Sequence, residues 1–265
     1  MIGRAISFVV ALLLMAVPAG ASTYGETLLD GAHARHPNIV AVRIDVPGKS
    51  GQMIRVERRW GSTTATAASL PLADAIGKVI GSIAIGMRCD DRGEAEAVAA
   101  SLGRRTYSPD GLDEPDPLVA GTMRAPAAQA MVEAIVDHEP ELVTLAFHVA
   151  PPGDAINRIV ASSFGRIGKP ADADDLHVVR DGAVLREMTN GGRRLAVELP
   201  LFDRRGRTVG ALSTSFRIGP TLSPDAAAVR AVGVRDSIAR KIASTASLFG
   251  PVKASRQVRR LGTCR

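Results

Sequence analysis

The sequence predicts an α+β protein of two tandem units, each an antiparallel sheet flanked by helices, with the first unit shortened. Three observations carry that expectation. The stretch "LPLADAIGKVIGSIAIGM" at 70–87 returns as "LPLFDRRGRTVGALSTSF" at 199–216, without a gap and at an offset of 129 residues. Leu, Pro, Leu, Asp, Gly and Gly recur in place, and self-similarity of this kind marks a repeated structural unit. Upstream, "HPNIVAVRIDV" at 36–46 resembles "EPELVTLAFHV" at 139–149. Finally, Leu195, Val197, Leu199 and Leu201 alternate with Ala196, Glu198 and Pro200. That period of two is the pattern of a half-buried strand.

Each unit reads in the same order. A helix-like segment, at 24–35 or 127–137, precedes the first strand. A Pro/Gly turn leads to a second strand, at 52–61 or 156–165, rich in β-branched and apolar residues between turn signals. The repeated stretch then supplies a hairpin. Asp74 to Gly77 and Asp203 to Gly206 are its turns, with glycine free to take positive φ. Asp74 and Asp203 look like a carboxylate pair, but a side chain closing a turn explains them better than catalysis does. Gly81 and Gly210 fall inside the following strand, where glycine signals a bulge or a close backbone approach. Helix-like segments at 93–104 and 224–248 end the units; Ser223 is placed to cap the latter, with Pro224 at its first position.

The units differ by an insertion. Gly61 to Leu70 is a step of 9 residues and Gly165 to Leu199 a step of 34, so the second unit carries 25 more. Those residues have room for a short helix near 171–176 and an extra hairpin of strands at 183–188 and 194–201. Asn190-Gly191 at its tip is a strong hairpin signal.

The ends set the organisation. Arg4 followed by an apolar run, Pro18 and Ala19-Gly20-Ala21 reads as a secretory leader, residues 1–21. The run is short of the ~20 residues of a membrane span, so a periplasmic protein is expected, with an N-terminally anchored one as the alternative. The first unit then covers 22–108, a Pro/Gly/Asp-rich linker 109–124, the second unit 125–250 and a basic tail 251–265. The formal charge of +6 is matched by Arg4 and five basic residues of the tail, Lys253, Arg256, Arg259, Arg260 and Arg265. The folded body is near neutral, and aromatic residues are 3% of the chain. Both facts argue against a nucleic-acid partner, which needs a basic face and stacking platforms. Of the two cysteines, Cys89 ends a predicted strand and Cys264 lies in the tail. Export permits a disulfide; the spacing leaves their pairing open.

The order helix, strand, strand, short helix, three strands, helix resembles a PAS-like sensor domain. The pattern Pro200, Leu201, Asp203, Gly206, Gly210, repeated as Pro71, Leu72, Asp74, Gly77, Gly81, resembles the closing hairpin of Cache domains, the extracellular PAS-like sensors of bacterial receptors. Two such units resemble a double-Cache arrangement over most of 24–250. The resemblance implies a pocket between the sheet and the segment joining the second and third strands. Only the second unit has that segment at full length. The Arg-x-Trp-Tyr-type motif of amino-acid-binding members is absent, since Arg58-Arg59-Trp60 runs into glycine.

Ser163, Arg166, Lys169, Asp172, Asp174 and His177 are therefore the expected ligand-binding residues. Arg166 and Lys169 suit a carboxylate and the aspartates an ammonium group; the aspartates equally suit the acidic start of a surface helix. "DADD" lacks the glycine and distant glutamate of a calcium loop, and no metal or cofactor is expected. No nucleophile elbow, phosphate loop or zinc helix motif appears. The expectation is an exported, non-enzymatic sensor-type protein binding an anionic or zwitterionic metabolite in the second unit. It would work with a membrane-bound signalling partner. The rival readings are a docking protein of the cell envelope and a secreted enzyme on a Cache-like scaffold.

Overall fold

The computed structural model describes residues 22–61, 68–89 and 91–252. The expected leader, the tail from residue 253 and Cys264 lie outside the described residues. Two antiparallel sheets with helices against them make up the α+β fold. The first unit runs α1 (Tyr24–Arg35), β1 (Ile39–Pro47), β2 (Met53–Arg59), β3 (Ala68–Ala73), β4 (Val79–Met87) and α2 (Arg92–Arg105). Its strands lie in the order β2-β1-β4-β3. The second unit runs α3 (Pro126–His138), β5 (Leu142–Val149), β6 (Arg158–Ser162), α4 (Ala173–Asp181), β7 (Leu185–Thr189), β8 (Arg194–Phe202), β9 (Thr208–Arg217), α5 (Pro224–Ala239) and α6 (Thr245–Leu248). Its order is β6-β5-β9-β8-β7. Every pairing in both sheets is antiparallel. The insertion of the second unit is thus α4 and the additional strand β7, and it completes a PAS-like order of strands.

The repeated residues hold equivalent places. Asp74 Oδ1 accepts from the backbone N–H groups of Ile76 and Lys78. Asp203 Oδ1 accepts from Arg205 and Arg207 in the same way. Both aspartates close hairpin turns, and Gly77 and Gly206 take φ of 83° and 78° there. A Cβ on Gly81 would run into the Asp45 carbonyl oxygen, and one on Gly210 into the His148 carbonyl oxygen. Each glycine sits beside a register shift, between Leu72 and Ala73 in one hairpin and Leu201 and Phe202 in the other.

One face of each sheet carries the core. In the second unit Leu145, Phe147, Val197, Leu199 and Leu212 pack with Val132 and Val136 of α3 and Ala231 and Ile238 of α5. In the first, Val42, Ile44, Ile83 and Ile85 pack with Leu29 of α1 and Val98 and Leu102 of α2. α5 ends at Ala239, short of the single helix expected through residue 248. Ile242 turns into the core, fully buried, and its carbonyl accepts from Arg204 N–H. Ser244 then caps α6 with a Ser247 capping box. Burying Ile242 and pairing it with the Asp203 turn is what interrupts the helix.

The connector is pinned rather than loose. Glu114 carbonyl accepts from Tyr24 N–H, Asp116 N–H donates to Ser22 carbonyl, and Leu118 N–H donates to Ile167 carbonyl. It therefore joins the start of α1 to the loop after β6. Among the described residues no helix is long and apolar enough to cross a membrane. Cys89 is disulfide-bonded.

Candidate functional site

Two polar places stand out, one under α4 and one where the two units meet. The first is the face covered by α4. His148 on β5 reaches Asp175 of α4, with Nδ1 and Oδ2 2.8 Å apart and the side chains 7% and 2% exposed. The two side chains are buried together at hydrogen-bond distance. Ser213 of β9 donates to Asp175 Oδ1 at 3.1 Å, and Asp175 also receives the Asp172 N–H as part of the α4 capping box. Burial pushes Asp175 up, but His148, the Asp172 N–H and the Ser213 hydroxyl outweigh it and hold the carboxyl below the usual range. Glu198 on β8 moves the other way. Burial, then the negative charges of Asp175, Asp172, Asp174 and Glu187, push it up to about 7. Beside this set, Ala146, Ile159, Ile167 and Phe164 form a small apolar cluster. Ser213 bonds to the carboxylate and not to the imidazole. This order of partners differs from the nucleophile–histidine–carboxylate relay of acyl transfer.

The second place is the junction of the two units. Tyr24 at the start of α1 puts its hydroxyl 3.0 Å from the carbonyl oxygens of both Arg105 and Ser163. Burial, and then Glu133 nearby, push that phenol well above its usual range, so it stays a donor. Arg105, 1% exposed, reaches from α2 to Glu133 and Asp137 of α3. Arg35 of α1 adds a further cation, 3.1 Å from Glu133. Gly165 has φ of 80°, and a Cβ there would lie 2.7 Å from the Tyr24 ring. Glycine is required on both counts.

Beside this weld is a cavity of about 260 Å³. That lies just under the ~300 Å³ where metabolite and drug pockets begin. Leu28, Ala125, Val160 and Ile167 give it apolar walls, and Gly31 leaves a gap in α1. Its polar lining is mostly engaged. Gln129 donates to Glu133 and the Ser162 carbonyl, and accepts from the Ser162 N–H. Glu133 receives Gln129, Arg105 and Arg35. Ser162 donates to the Gly165 carbonyl. Asp116, 4% exposed, is different. Oδ2 meets Arg124 at 3.3 Å, while Oδ1 is buried without a partner. Among the described residues lining the cavity, it is the one buried side-chain atom left unpaired.

The residues expected from the sequence are spread around the second unit. Ser163 is buried and its hydroxyl accepts from the Leu145 N–H, a strand-closing role. Arg166, at φ 63°, reaches Glu114 of the connector at 3.3 Å. Lys169 is half-buried and its backbone continues the pairing with Ile159. Asp172 caps α4, Asp174 is exposed on its first turn, and His177 is exposed beside Asp181. These six do not gather on one cavity. The space under α4, where the resemblance implies a pocket, is taken up by Ala146, Ile159, Phe164 and the His148–Asp175–Ser213 set. Sequence reasoning misses His148, Asp175, Asp116 and Tyr24. A signal exists for the first: in the repeat His148 stands where the first unit has Asp45.

No family model matches the chain, and no curated protein does. Solved structures similar to parts of it include the following two. The type II free methionine-R-sulfoxide reductase of Thermoplasma acidophilum matches 46% of this chain and 88% of its own, at 14% identity and a TM-score of 0.32. PelD 158-CT of Pseudomonas aeruginosa PAO1 matches 83% of this chain and 76% of its own, at 13% identity and a TM-score of 0.23. Both likenesses are too distant to carry an argument about this chain.

Proposed function

We propose that this chain is an exported, non-enzymatic, sensor-type protein that binds a small metabolite in the cavity between its two Cache-like units. The cavity is the observation that carries the reading. It joins apolar walls to a few fixed polar groups, the usual makeup of a ligand site. The residues around it are held by hydrogen bonds from both units, so the site is preorganised, which lowers the entropic cost of binding. The site includes Val160, Ser162, Gly165 and Ile167 of the second unit, the unit expected from the sequence, but at its junction with α1 rather than under α4. A binding role is favoured over catalysis by the bonding of Ser213, which leaves His148 without a nucleophile on it. An anionic or zwitterionic ligand and a membrane-bound signalling partner remain part of the proposal.

The test is thermal unfolding of the chain from Ser22 against amino acids, carboxylates, amines and purines. A ligand that binds only the folded state adds about 2.7 kcal/mol at a hundredfold excess over its dissociation constant. The matching variant is Gly31→Leu. Gly31 sits in α1 with no close obstacle to a Cβ beyond Arg35 at 3.5 Å, and leucine is the better helix former. The variant should fold, fill the cavity and lose the shift. A ligand whose shift survives Gly31→Leu places its site elsewhere.

A further inference from the structure

We infer that the ligand of the junction cavity is a monocarboxylate with a hydrocarbon body, held at its head by Arg35 and Arg124. The inference rests on the cavity being the binding site. The side-chain acceptors around the cavity are already engaged or out of reach. Glu133 Oε1 receives Gln129, and Oε2 receives Arg105 and Arg35. Gln129 Oε1 takes the Ser162 N–H, and the Ser162 hydroxyl oxygen takes that of Phe164. Asp116 Oδ1 is shut away from solvent, so nothing in the cavity touches it, and Oδ2 meets Arg124. An ammonium head entering this space finds no open carboxylate.

Donor capacity is what remains. A guanidinium carries five N–H groups in a fixed fork. Arg35 places Nη1 on Glu133 at 3.1 Å. Arg124 meets Asp116 Oδ2 through Nη1 at 3.3 Å and the Asp116 carbonyl through Nη2 at 2.8 Å. Both arginines line the cavity, and 30% and 51% of their side chains stay in solvent. Gly31 and Arg35 are four apart and share a face of α1. A Cβ on Gly31 would lie 3.5 Å from Arg35 Nη1, so the guanidinium folds back over the gap that Gly31 leaves in the wall. Asp116 fixes Arg124 at two points, which preorganises the second cation. Planar forks of this kind match a carboxylate in a way that a neutral head cannot. Leu28, Val160 and Ile167 would take the hydrocarbon part of the same molecule.

Three probes of one carbon skeleton separate the possibilities: isovalerate, its neutral isostere isovaleramide, and isoamylamine, titrated by calorimetry into the chain from Ser22 at low salt. The acid is expected to bind at least about tenfold tighter than the amide or the amine, since charge-assisted bonds are roughly twice as strong as neutral ones. Arg35→Gln and Arg124→Gln should each weaken the acid several-fold, and the double variant should bring it down to the level of the amide. Glu133 keeps Arg105 when Arg35 is replaced, so Arg35→Gln carries the test if Arg124→Gln fails to fold. Gly31→Leu should abolish binding of the acid. An amide or amine that binds as tightly as the acid, or an acid unmoved by Arg35→Gln or by a folded Arg124→Gln, overturns the inference. If isovalerate fails to bind while another compound binds and is blocked by Gly31→Leu, the carboxylate assignment falls and the cavity stands. If nothing that binds is blocked by Gly31→Leu, both fall.

Discussion

Asp45 in the first unit and His148 in the second occupy the same place in the repeat, and their surroundings are opposite. Asp45 pairs with Ser82 across the sheet, and His148 with Ala211, its counterpart. Asp45 faces water, held by Arg55 at 2.6 Å and Arg43 at 2.9 Å on partly exposed side chains. His148 is shut under α4 against Asp175. One sheet face is left charged and open, and its equivalent is covered and internally paired. The strand beneath keeps the same pairing in both units, so the cover over it follows the insertion, while the residue itself differs between the two. A residue's role here is set by whether a helix lies over it, not by its position in the strand.

The largest break in that comparison is to remove one member of each pair. Asp175→Ala leaves His148 buried without its partner and also removes the carboxylate that closes the capping box with Asp172. The expected loss is about 3 to 5 kcal/mol in urea unfolding. Asp45→Ala, with two exposed partners, should cost no more than about 1 kcal/mol. Equal losses would mean that α4 does not seal its face.

The strand glycines test where the repeats should agree. Gly81→Ala and Gly210→Ala each push a Cβ into a neighbouring carbonyl, so each should cost roughly 2 kcal/mol by forcing strands apart. Similar losses support an equivalent bulge; a loss in one only would show that the hairpins are held differently.

A smaller effect sharpens the contrast through pH. Glu198 is held at about 7 in the folded chain against 4.5 for the free group. Its acid form is the one the fold prefers. Its contribution is complete below the unfolded value and is lost as pH rises through 7. Glu198→Gln should flatten this loss between about pH 5 and 8. It should raise stability near pH 8 by on the order of 1 kcal/mol, once solvent screening is allowed for. Asp175 acts with the opposite sign. Its pKa is lowered, so its contribution is present above the usual carboxylate range and disappears as the solution turns strongly acid. The first unit has no counterpart to Glu198 under a helix among the described residues, and variants of Asp45 should leave the slope over the same near-neutral range unchanged.

Much of the fold is legible because it is local. The turn aspartates, the strand glycines and the Asn190-Gly191 hairpin act within a few residues of themselves, and each does what its type favours. The helix-like segment at 24–35 coincides with the bounds of α1, Tyr24–Arg35. The insertion reads as a helix and a hairpin, and α4, β7 and β8 are that. The candidate site is far less visible. Tyr24, Asp116 and Gly165 belong to α1, the connector and a loop of the second unit, and each looks ordinary in its own stretch. Their importance comes from packing between units, which no periodicity reports. His148 sits in "LAFHV", where apolar neighbours conceal a polar partner far along the chain on another element. Arg166 and Asp172 stand out by charge, and charge alone does not distinguish a helix cap from a ligand.

The Tyr24 hydroxyl also has a consequence for the order in which the molecule can be finished. Its two acceptors lie 81 and 139 positions further along the chain. Arg105 likewise waits for Glu133 and Asp137, 28 and 32 positions later. A growing chain therefore has the first sheet and its helices available well before the groups that seal their exposed end. Until β6 has emerged, α1 has its apolar side engaged and its phenol idle, and a guanidinium destined for the interior stands in water. Contacts of such long separation in sequence form late. The first unit is thus a partner in waiting, and the seam is the last part of the molecule to close.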